Sequence, residues 1–373
     1  MFRLKLQSWL AITTIAMVAF SVAGNKVEGQ FTAYMPDESA PHEGTWLQWP
    51  HHFTYGFNYR NQIESSWVEL TEVLIQSENV HIIVYNQNER NRIQNLLNAN
   101  GVSQTNIDFT IRANDDFWVR DNGPIFVYDW FTDELKINDF GFNGWGFDTP
   151  FALDNTVPIG VANQHGFQRF DLNDLILEGG AIEVDGNGTL MATRSSILEP
   201  DRNPGWTEEE VEEYLSDMLG VTNFVWLDGA PGGQFDITDT HIDGFARFGL
   251  PNTIVTMNPD DLRYWGISNN DIRRLYYAQN ANGHAYNRVF LPLTQNDVVT
   301  SYGFNLGYKG SYVNFYTSNG HVIVPTYNDP NDQVAIKILQ RAFPKREVVG
   351  IDFRNAYRWG GMVHCVTQQQ PIE

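Results

Sequence analysis

The sequence has 373 residues, a single cysteine (Cys365) and a net charge of −21, with 24 Lys and Arg against 45 Asp and Glu. A content of 42% hydrophobic residues indicates a globular protein, and the single cysteine excludes an intrachain disulfide, a cysteine-based zinc site and an all-cysteine iron–sulfur site. The negative charge argues against nucleic-acid binding, which needs cationic side chains, and is compatible with a cationic substrate.

The first predicted element is a secretory signal peptide. Arg3 and Lys5 give a positive start, residues 9–22 form a nearly uncharged apolar run, and small residues precede a cleavage point after Ala23. The run is shorter than the about 20 residues that span a bilayer, which favours cleavage over a membrane anchor. We therefore expect residues 1–23 to be removed and the mature protein to be secreted or extracytoplasmic, with no membrane attachment.

The rest of the chain repeats one unit, in which a β-hairpin with a turn is followed by a helix. In chain order we predict a strand at 44–50, helices at 62–77 and 88–99, hairpins beginning at Arg120 and Glu178, a helix at 207–219, hairpins beginning at His241 and Gly310, a helix at 329–343 and a half-hairpin beginning at Gly360. This pattern predicts one domain of about five βαβ-like modules around an axis. The final half-hairpin is expected to pair with the first strand and close the ring.

Two of these helices have clear boundary signals. Thr207 and Glu210 have the spacing of a capping box, and Gly220 follows the apolar stripe of that helix. The last helix is predicted to open at Asp329, with Pro330 as its first helical residue.

Polar residues of chemical interest begin the predicted hairpins and the final half-hairpin. They are Asp121, Glu178, His241 with Asp243, and Cys365. Equivalent positions of modules around an axis meet at its centre, so we expect one site with three carboxylates, an imidazole and a thiol. A thiolate attacks an electrophilic carbon, a histidine donates and accepts protons, and paired carboxylates bind the forked N–H groups of a guanidinium.

Each of these residues also has a structural interpretation. A lone cysteine is usually a buried apolar side chain, Asp121 precedes turn-forming residues, and Glu178 precedes two glycines that suit a strand end. His241 and Asp243 are two residues apart, so on a strand they would share one face and, with Glu178 or Asp121, resemble metal ligands. The chain has no HExxH or facial-triad pattern, and we predict no metal and no cofactor.

Four ordered motifs resemble those of a known family, namely residues 117–124 (FWVRDNGP), 177–180 (LEGG), 239–243 (DTHID) and 360–371 (GGMVHCVTQQQP). The chain resembles agmatine deiminases, which belong with the Porphyromonas-type peptidylarginine deiminases in the pentein superfamily of guanidine-modifying enzymes. The resemblance runs from about Met35 to the end. It implies an α/β fold, a five-bladed propeller of pseudo-symmetric ββαβ modules, and a single deiminase catalytic domain over 31–373.

The resemblance also implies a role for each candidate catalytic residue. Cys365 resembles the nucleophile that attacks the guanidinium carbon. His241 resembles the acid that protonates departing ammonia and then the base that activates water. Asp121 and Asp243 resemble the pair that binds the guanidinium nitrogens, and Glu178 resembles the carboxylate that positions the histidine and a substrate nitrogen.

Trp118 and Trp145 resemble aromatic residues that line the aliphatic stem of the substrate, although ordinary packing explains them equally well. In some family members a carboxylate just before the histidine meets the distal amine of agmatine, and Asp236 or Asp239 is the candidate here. Thr240 departs from the family, in which glycine commonly precedes the histidine. We expect this residue to narrow the site mouth or to change a backbone turn.

Together these motifs predict a secreted guanidine deiminase that converts agmatine to N-carbamoylputrescine and ammonia through a covalent thiouronium on Cys365, a reaction of putrescine and polyamine synthesis. A secreted deiminase that converts arginine or peptidyl-arginine to citrulline is a second hypothesis, favoured by export. A propeller that has lost activity and only binds a ligand or partner is a third. The expected partner is a small cationic guanidine or an arginyl peptide and not nucleic acid. The sequence is also compatible with a homo-oligomer.

Overall fold

The computed structural model describes residues 31–230 and 236–372, so the predicted signal peptide at 1–23 lies outside the described part of the chain. The strands are β1 (Ala33–Tyr34), β2 (His42–Gln48), β3 (Asn79–Val84), β4 (Ile107–Ile111), β5 (Ile125–Asp129), β6 (Leu135–Gly141), β7 (Gln168–Ile176), β8 (Ile182–Val184), β9 (Thr189–Thr193), β10 (Asn223–Leu227), β11 (Ala246–Leu250), β12 (Thr253–Met257), β13 (Asn287–Leu291), β14 (Tyr316–Thr317), β15 (His321–Thr326), β16 (Glu347–Asp352) and β17 (Gln368–Pro371).

The α-helical segments lie mainly between the strands, and none of those described is long and apolar enough to cross a membrane. They are α1 (Gly56–Leu74), α2 (Gln87–Ala99), α3 (Val119–Asn122), α4 (Gly144–Phe147), α5 (Val157–His165), α6 (Arg194–Ile197), α7 (Glu208–Leu219), α8 (Pro259–Tyr264), α9 (Asn269–Tyr276), α10 (Asp332–Ala342) and α11 (Arg354–Tyr357). Single 3-10 turns are found at Asp154–Thr156, Gly179–Ala181, Ile242–Gly244 and His364–Val366.

In the described residues the strands form five sheets with a common plan. Their orders are β1-β5-β6-β7, β8-β9-β10, β11-β12-β13, β14-β15-β16 and β17-β2-β3-β4. In each sheet a central strand pairs antiparallel with one neighbour and parallel with a third strand that follows a helical segment, as in β8-β9-β10. A tight turn can join antiparallel strands, whereas a parallel strand requires a longer crossover. The fold is therefore mixed α/β, as predicted.

The four hairpins predicted from the sequence are confirmed as β5–β6, β8–β9, β11–β12 and β14–β15. The β8–β9 turn shows why turn residues were a reliable signal. Gly186 and Gly188 have φ values of 67° and 92°, in the left-handed region that favours glycine. Asp185 Oδ1 accepts hydrogen bonds from the backbone N–H groups of Asn187 and Thr189, both at 2.9 Å.

Helix α7 begins and ends as predicted. The hydroxyl of Thr207 accepts from the Glu210 backbone N–H at 3.2 Å, Glu210 Oε2 accepts from the Thr207 backbone N–H at 2.9 Å, and Gly220 ends the helix with φ 68°. The predictions at 62–77 and 88–99 correspond to α1 and α2, of which α1 starts several residues earlier.

Helix α10 begins later than predicted, and Pro330 is not its first helical residue. Asn331 is the N-cap and Asp332 is the first residue of the helix. The carboxylate of Asp332 accepts hydrogen bonds from the backbone N–H groups of Tyr327 and Asp329, both at 3.0 Å. These bonds hold the preceding loop against the helix start, so the chain turns before it becomes helical.

The first and last modules share one sheet, because β17 pairs antiparallel with β2. Gln368 lies opposite Trp46, and Gln370 lies opposite Gly44. The indole Nε1 of Trp46 also donates a hydrogen bond to Gln370 Oε1 at 2.9 Å. The predicted pairing of the two segments is confirmed, and it positions Cys365, which lies just before β17.

Glu38 is the centre of a buried polar cluster that links several modules. Its Oε2 accepts from Arg247 Nη2 at 2.8 Å, from Arg120 Nη2 at 3.3 Å and pairs with His364 Nε2 at 2.7 Å, while its Oε1 accepts from the Thr317 backbone N–H at 2.8 Å. Burial alone would raise the pKa of Glu38, but Arg247 and His364 outweigh it and hold the pKa well below its usual value. The ionised carboxylate of Glu38 therefore offsets the positive charge of two buried guanidinium groups, those of Arg120 and Arg247.

Removing this charge should destabilise the protein. We expect Glu38→Gln to lower the free energy of unfolding by about 3 kcal/mol, because Arg120 and Arg247 would lose a shared buried partner. Urea unfolding at pH 7 measures the change. Asp260→Asn removes an exposed ion pair with Arg263 and should change the free energy by less than about 1 kcal/mol. Equal effects of the two substitutions would contradict the structural role of Glu38.

Candidate active site

The predicted catalytic residues lie in single helical turns that precede strands of different modules. Asp121 is in α3 before β5, Glu178 is the N-cap of Gly179–Ala181 before β8, His241 is the N-cap of Ile242–Gly244 before β11, and Cys365 is in His364–Val366 before β17. The expectation that these residues open the strands themselves, with His241 and Asp243 on one strand face, is wrong. In each segment the helical turn comes first, and strand pairing begins only after it.

The structure brings all five candidate catalytic residues together. His241 Nε2 lies 3.3 Å from Glu178 Oε2, and His241 Nδ1 lies 3.7 Å from Asp121 Oδ1. The thiol Sγ of Cys365 lies 3.8 Å from Asp243 Oδ2. The histidine and the three carboxylates are buried, whereas Cys365 is partly exposed. The expected set of one thiol, one imidazole and three carboxylates is therefore a single cluster.

Gly180 allows this close approach. A Cβ atom at this position would lie only 2.7 Å from both Asp121 Oδ1 and His241 Nδ1. The backbone N–H of Gly180 instead donates a hydrogen bond to Asp121 Oδ1 at 3.0 Å. The glycine after Glu178-Gly179 is thus required by the packing of the site.

Electrostatic interactions favour a protonated His241. Burial would lower the pKa of His241, but the charges of Asp121 and Glu178 outweigh it and raise the pKa to about 9. Burial raises the pKa of Asp121 to about 6, although His241 opposes the shift. Burial would also raise the pKa of Glu178, but Arg202 and His241 lower it below its usual value. At neutral pH the site therefore contains an imidazolium between ionised carboxylates.

The thiol of Cys365 is held in its neutral form. Burial raises its pKa well above the usual value, and the nearby charges of Asp243 and Asp121 raise it further. Its Sγ also donates to Asn314 Oδ1 at 3.6 Å. A cation bound between the carboxylates would offset their charge and favour the thiolate.

Three neighbouring residues complete the site, and the sequence reasoning gave them no role. Arg202 Nε donates to Glu178 Oε1 at 2.9 Å and holds that carboxylate. His364 Nδ1 lies 2.7 Å from Asp243 Oδ2, and this contact lowers the pKa of Asp243 despite its burial. Asn314 precedes β14, and the predicted hairpin that starts at Gly310 could have indicated a contribution to the centre from this fifth module. For Arg202 no comparable sequence signal exists, because it lies in a loop outside the repeated turns.

Two hollows reach Cys365. One has a volume of about 500 Å³ and is lined by His241, Asp243 and Asn314 among others. The other, of about 210 Å³, is lined by Asp121, Trp118 and Trp145 and by further aromatic residues. Besides Cys365, the residues that line both hollows are Ile237, Thr238, Trp359 and Gly360. Trp145 also donates its indole N–H to Asp121 Oδ2 at 3.1 Å, and both predicted tryptophans line the smaller hollow.

The two carboxylates predicted to meet a distal amine have other contacts. Asp239 is buried and accepts from Arg202 Nη1 at 2.6 Å. Asp236 lines the larger hollow, but its Oδ1 accepts from the backbone N–H of Thr238 at 2.7 Å and from the Thr238 hydroxyl. The structure therefore places neither of them beside Trp118 and the smaller hollow.

The backbone before His241 is strained. Asp239 and Thr240 have φ values of 54° and 73°, which cost on the order of 1–3 kcal/mol each for residues other than glycine. Two hydrogen bonds hold this conformation, from Ser195 Oγ to Asp239 O at 2.6 Å and from Thr193 Oγ1 to Thr240 O at 2.9 Å. Thr240 thus adopts a glycine-like turn, and this residue lines the larger hollow.

The fold and the site together define a class of protein. A thiol, a protonated histidine and carboxylates able to bind a cation suit nucleophilic attack on a guanidinium carbon. In the described part of the chain, no three His, Cys, Asp or Glu side chains are arranged to hold a metal ion. The chain belongs to the Porphyromonas-type peptidyl-arginine deiminase family, whose sequence model matches residues 34–371.

Individual relatives are similar over almost the whole chain. An agmatine deiminase from Pseudomonas aeruginosa (strain LESB58) is 33% identical over 363 residues, which cover 90% of this chain and 95% of the relative. The solved agmatine deiminase of Enterococcus faecalis is 26% identical with a TM-score of 0.78, covering 93% of this chain and 99% of that one. An agmatine deiminase from C. jejuni, solved with substrate bound, is 26% identical with a TM-score of 0.76, covering 93% of this chain and 98% of that one.

Proposed function

We propose that this protein is an agmatine deiminase that hydrolyses agmatine to N-carbamoylputrescine and ammonia. The observation that carries the proposal is the convergence of Cys365, His241, Asp121 and Asp243 on two hollows, with Glu178 in contact with His241 behind them. Relatives similar over nine tenths of the chain are agmatine deiminases, which supports agmatine over peptidyl-arginine.

Substrate binding and thiol activation are coupled in this proposal. The guanidinium of agmatine binds between Asp121 and Asp243, whose carboxylates match its forked N–H groups. Its positive charge offsets the two carboxylates that raise the pKa of the Cys365 thiol. The partly exposed thiol then loses its proton to solvent in the hollows, and the thiolate forms beside an electrophilic cation.

The reaction proceeds through a covalent intermediate. The Sγ of Cys365 forms a bond to the guanidinium carbon, and the tetrahedral adduct expels one nitrogen as ammonia, which takes its proton from His241. The remaining thiouronium is attacked by water, and neutral His241 accepts the water proton. Cleavage of the C–S bond returns the thiolate, the hydroxyl proton of the adduct is lost to solvent, and a neutral ureido group is left on the product. Glu178 keeps His241 oriented in both steps.

Turnover of agmatine tests this proposal directly. Purified protein without added metal should release ammonia from agmatine and form an equal amount of ureido product. Arginine and an arginyl peptide serve as comparison substrates. Activity on the arginyl peptide with none on agmatine would favour the peptidyl-arginine alternative. No ammonia release from any of the three guanidine compounds would favour a binding protein.

The pH profile should be bell-shaped, with kcat/KM for agmatine highest between about pH 6 and pH 9. Below the lower limit Asp121, whose pKa is about 6, gains a proton and loses the charge that holds the guanidinium. Above the upper limit His241, whose pKa is about 9, loses the proton that departing ammonia requires. The apparent pKa values on the acidic and basic sides of the profile belong to the interacting groups of the site together. A profile that keeps rising above pH 9 would contradict the acid role of His241.

For the architecture, we propose that the five modules surround one axis as the blades of a five-bladed propeller, within a single catalytic domain over 31–373. The pairing of β17 with β2 supports this arrangement, since it joins the last module to the first. The convergence of turns from different modules on one site supports it as well.

For the location, we propose that the protein is exported after cleavage of residues 1–23. The support is the N-terminal pattern of two cationic residues, an apolar run and small residues before the cleavage point. N-terminal sequencing of protein recovered from outside the cytoplasm should begin at Gly24. Recovery of exported protein that still contains Arg3 would contradict cleavage.

A further inference from the structure

The smaller hollow contains a second buried carboxylate, that of Asp116, which lines it together with Asp121. Its Oδ1 accepts from the Phe117 backbone N–H at 2.9 Å and the Tyr59 hydroxyl at 3.1 Å, and its Oδ2 accepts from Trp118 Nε1 at 3.1 Å. All of these donors are neutral. In the described residues no Lys, Arg or His forms an ion pair with Asp116, and burial raises its pKa to about 7. A buried carboxylate of this kind is stabilised by a cation.

The walls of this hollow suit an alkyl chain that ends in an ammonium. Besides the carboxylates, aromatic rings line it, including Tyr55, Tyr59, Trp118, Trp145 and Trp359. Aromatic faces pack against methylene groups and attract a cation, and a carboxylate beside them supplies the opposite charge. Trp118 and Trp145 each donate an indole N–H to one carboxylate of the hollow, Asp116 and Asp121 respectively. These bonds fix both rings.

The larger hollow is less suited to a second positive charge. Lys309 and Arg358 lie in its wall, and their charges would repel an ammonium.

We propose that Asp116 binds the distal ammonium of agmatine while Asp121 and Asp243 hold its guanidinium. This inference rests on the proposed function, because it assigns the second charge of the same substrate. It also gives a reason for selectivity. An arginine in the same pose would bring its α-carboxylate beside Asp116, and like charges in a buried site repel each other.

The test compares agmatine with n-butylguanidine, which has the same four-carbon chain and no amine. The wild-type protein should prefer agmatine in kcat/KM by at least about 10-fold, and Asp116→Asn should lower kcat/KM for agmatine about 10- to 100-fold, mainly through KM. The same variant should change kcat/KM for n-butylguanidine by less than about 3-fold. Asp115→Asn, the same change at the neighbouring residue outside both hollows, should leave the preference intact.

The outcomes separate this inference from the proposed function. Turnover of both compounds by the wild-type protein without preference would overturn the inference and leave the deiminase activity standing. Equal losses on both compounds in Asp116→Asn would also overturn it, since they indicate a structural role. Loss of the preference in Asp236→Asn, with Asp116→Asn unaffected, would assign the ammonium to the larger hollow. If the wild-type protein turns over neither compound, both the proposed function and the inference are overturned.

Discussion

Replacing Cys365 with alanine should reduce ammonia release from agmatine by about 10⁴-fold or more, to the detection limit. The thiolate is the group that bonds to the guanidinium carbon, so without it the covalent route is lost and only binding and polarisation remain. Steady-state ammonia assays of the wild-type and variant proteins at pH 7.5 measure the change.

A structural control accompanies this substitution. Cys365 is partly exposed, and alanine removes one atom without introducing a new polar group, so the melting temperature should change little. Calorimetry should also show that Cys365→Ala still binds agmatine, because the carboxylates remain in place. Activity within about 10-fold of the wild-type value would contradict a nucleophilic role for this residue.

Replacing His241 with alanine should lower kcat by about 10²- to 10⁴-fold, because one side chain is assigned both proton transfers of the reaction. The loss should persist at saturating agmatine, since Asp121 and Asp243 still hold the guanidinium. Rapid-quench assays and steady-state kcat values measure it.

His284→Ala is the matched control for this prediction. His284 is exposed on a loop and lines neither hollow, so its removal should leave kcat unchanged. A loss in His241→Ala that appears only in KM would argue against proton transfer. It would instead indicate that the imidazolium contributes mainly to the electrostatics of binding.

The sequence was sufficient for the parts of the fold and site that depend on local chemistry. Turn glycines, as at Gly186 and Gly188, and the capping box of Thr207 and Glu210 act over a few residues, so their patterns identify the elements they define. The repeated hairpin starts also predicted which residues converge. Cys365 stood out because the chain contains no other cysteine.

Other parts of the site depend on contacts between residues far apart in the chain. Arg202 reaches Glu178 and Asp239 from an irregular loop, and nothing in its neighbouring residues indicates this contact. Asp116 lies next to the FWVRD motif, but its burial beside Tyr59 becomes visible only when α1 is packed against that segment. The expected amine carboxylates, Asp236 and Asp239, were chosen by nearness in sequence to His241, whereas their contacts depend on the fold: Asp239 accepts from Arg202, and Asp236 lines the larger hollow.

The pairing of β17 with β2 has a consequence for the order of events during synthesis. Cys365 lies just before β17, and β17 pairs with β2, which is synthesised early in translation. The other four candidate catalytic residues are synthesised long before Cys365. The reactive group therefore joins them only after β17 has left the ribosome and paired with β2, and a nascent chain without β17 has no nucleophile in place. Such a distant pairing also implies slow folding, since closing a long loop must precede the contact.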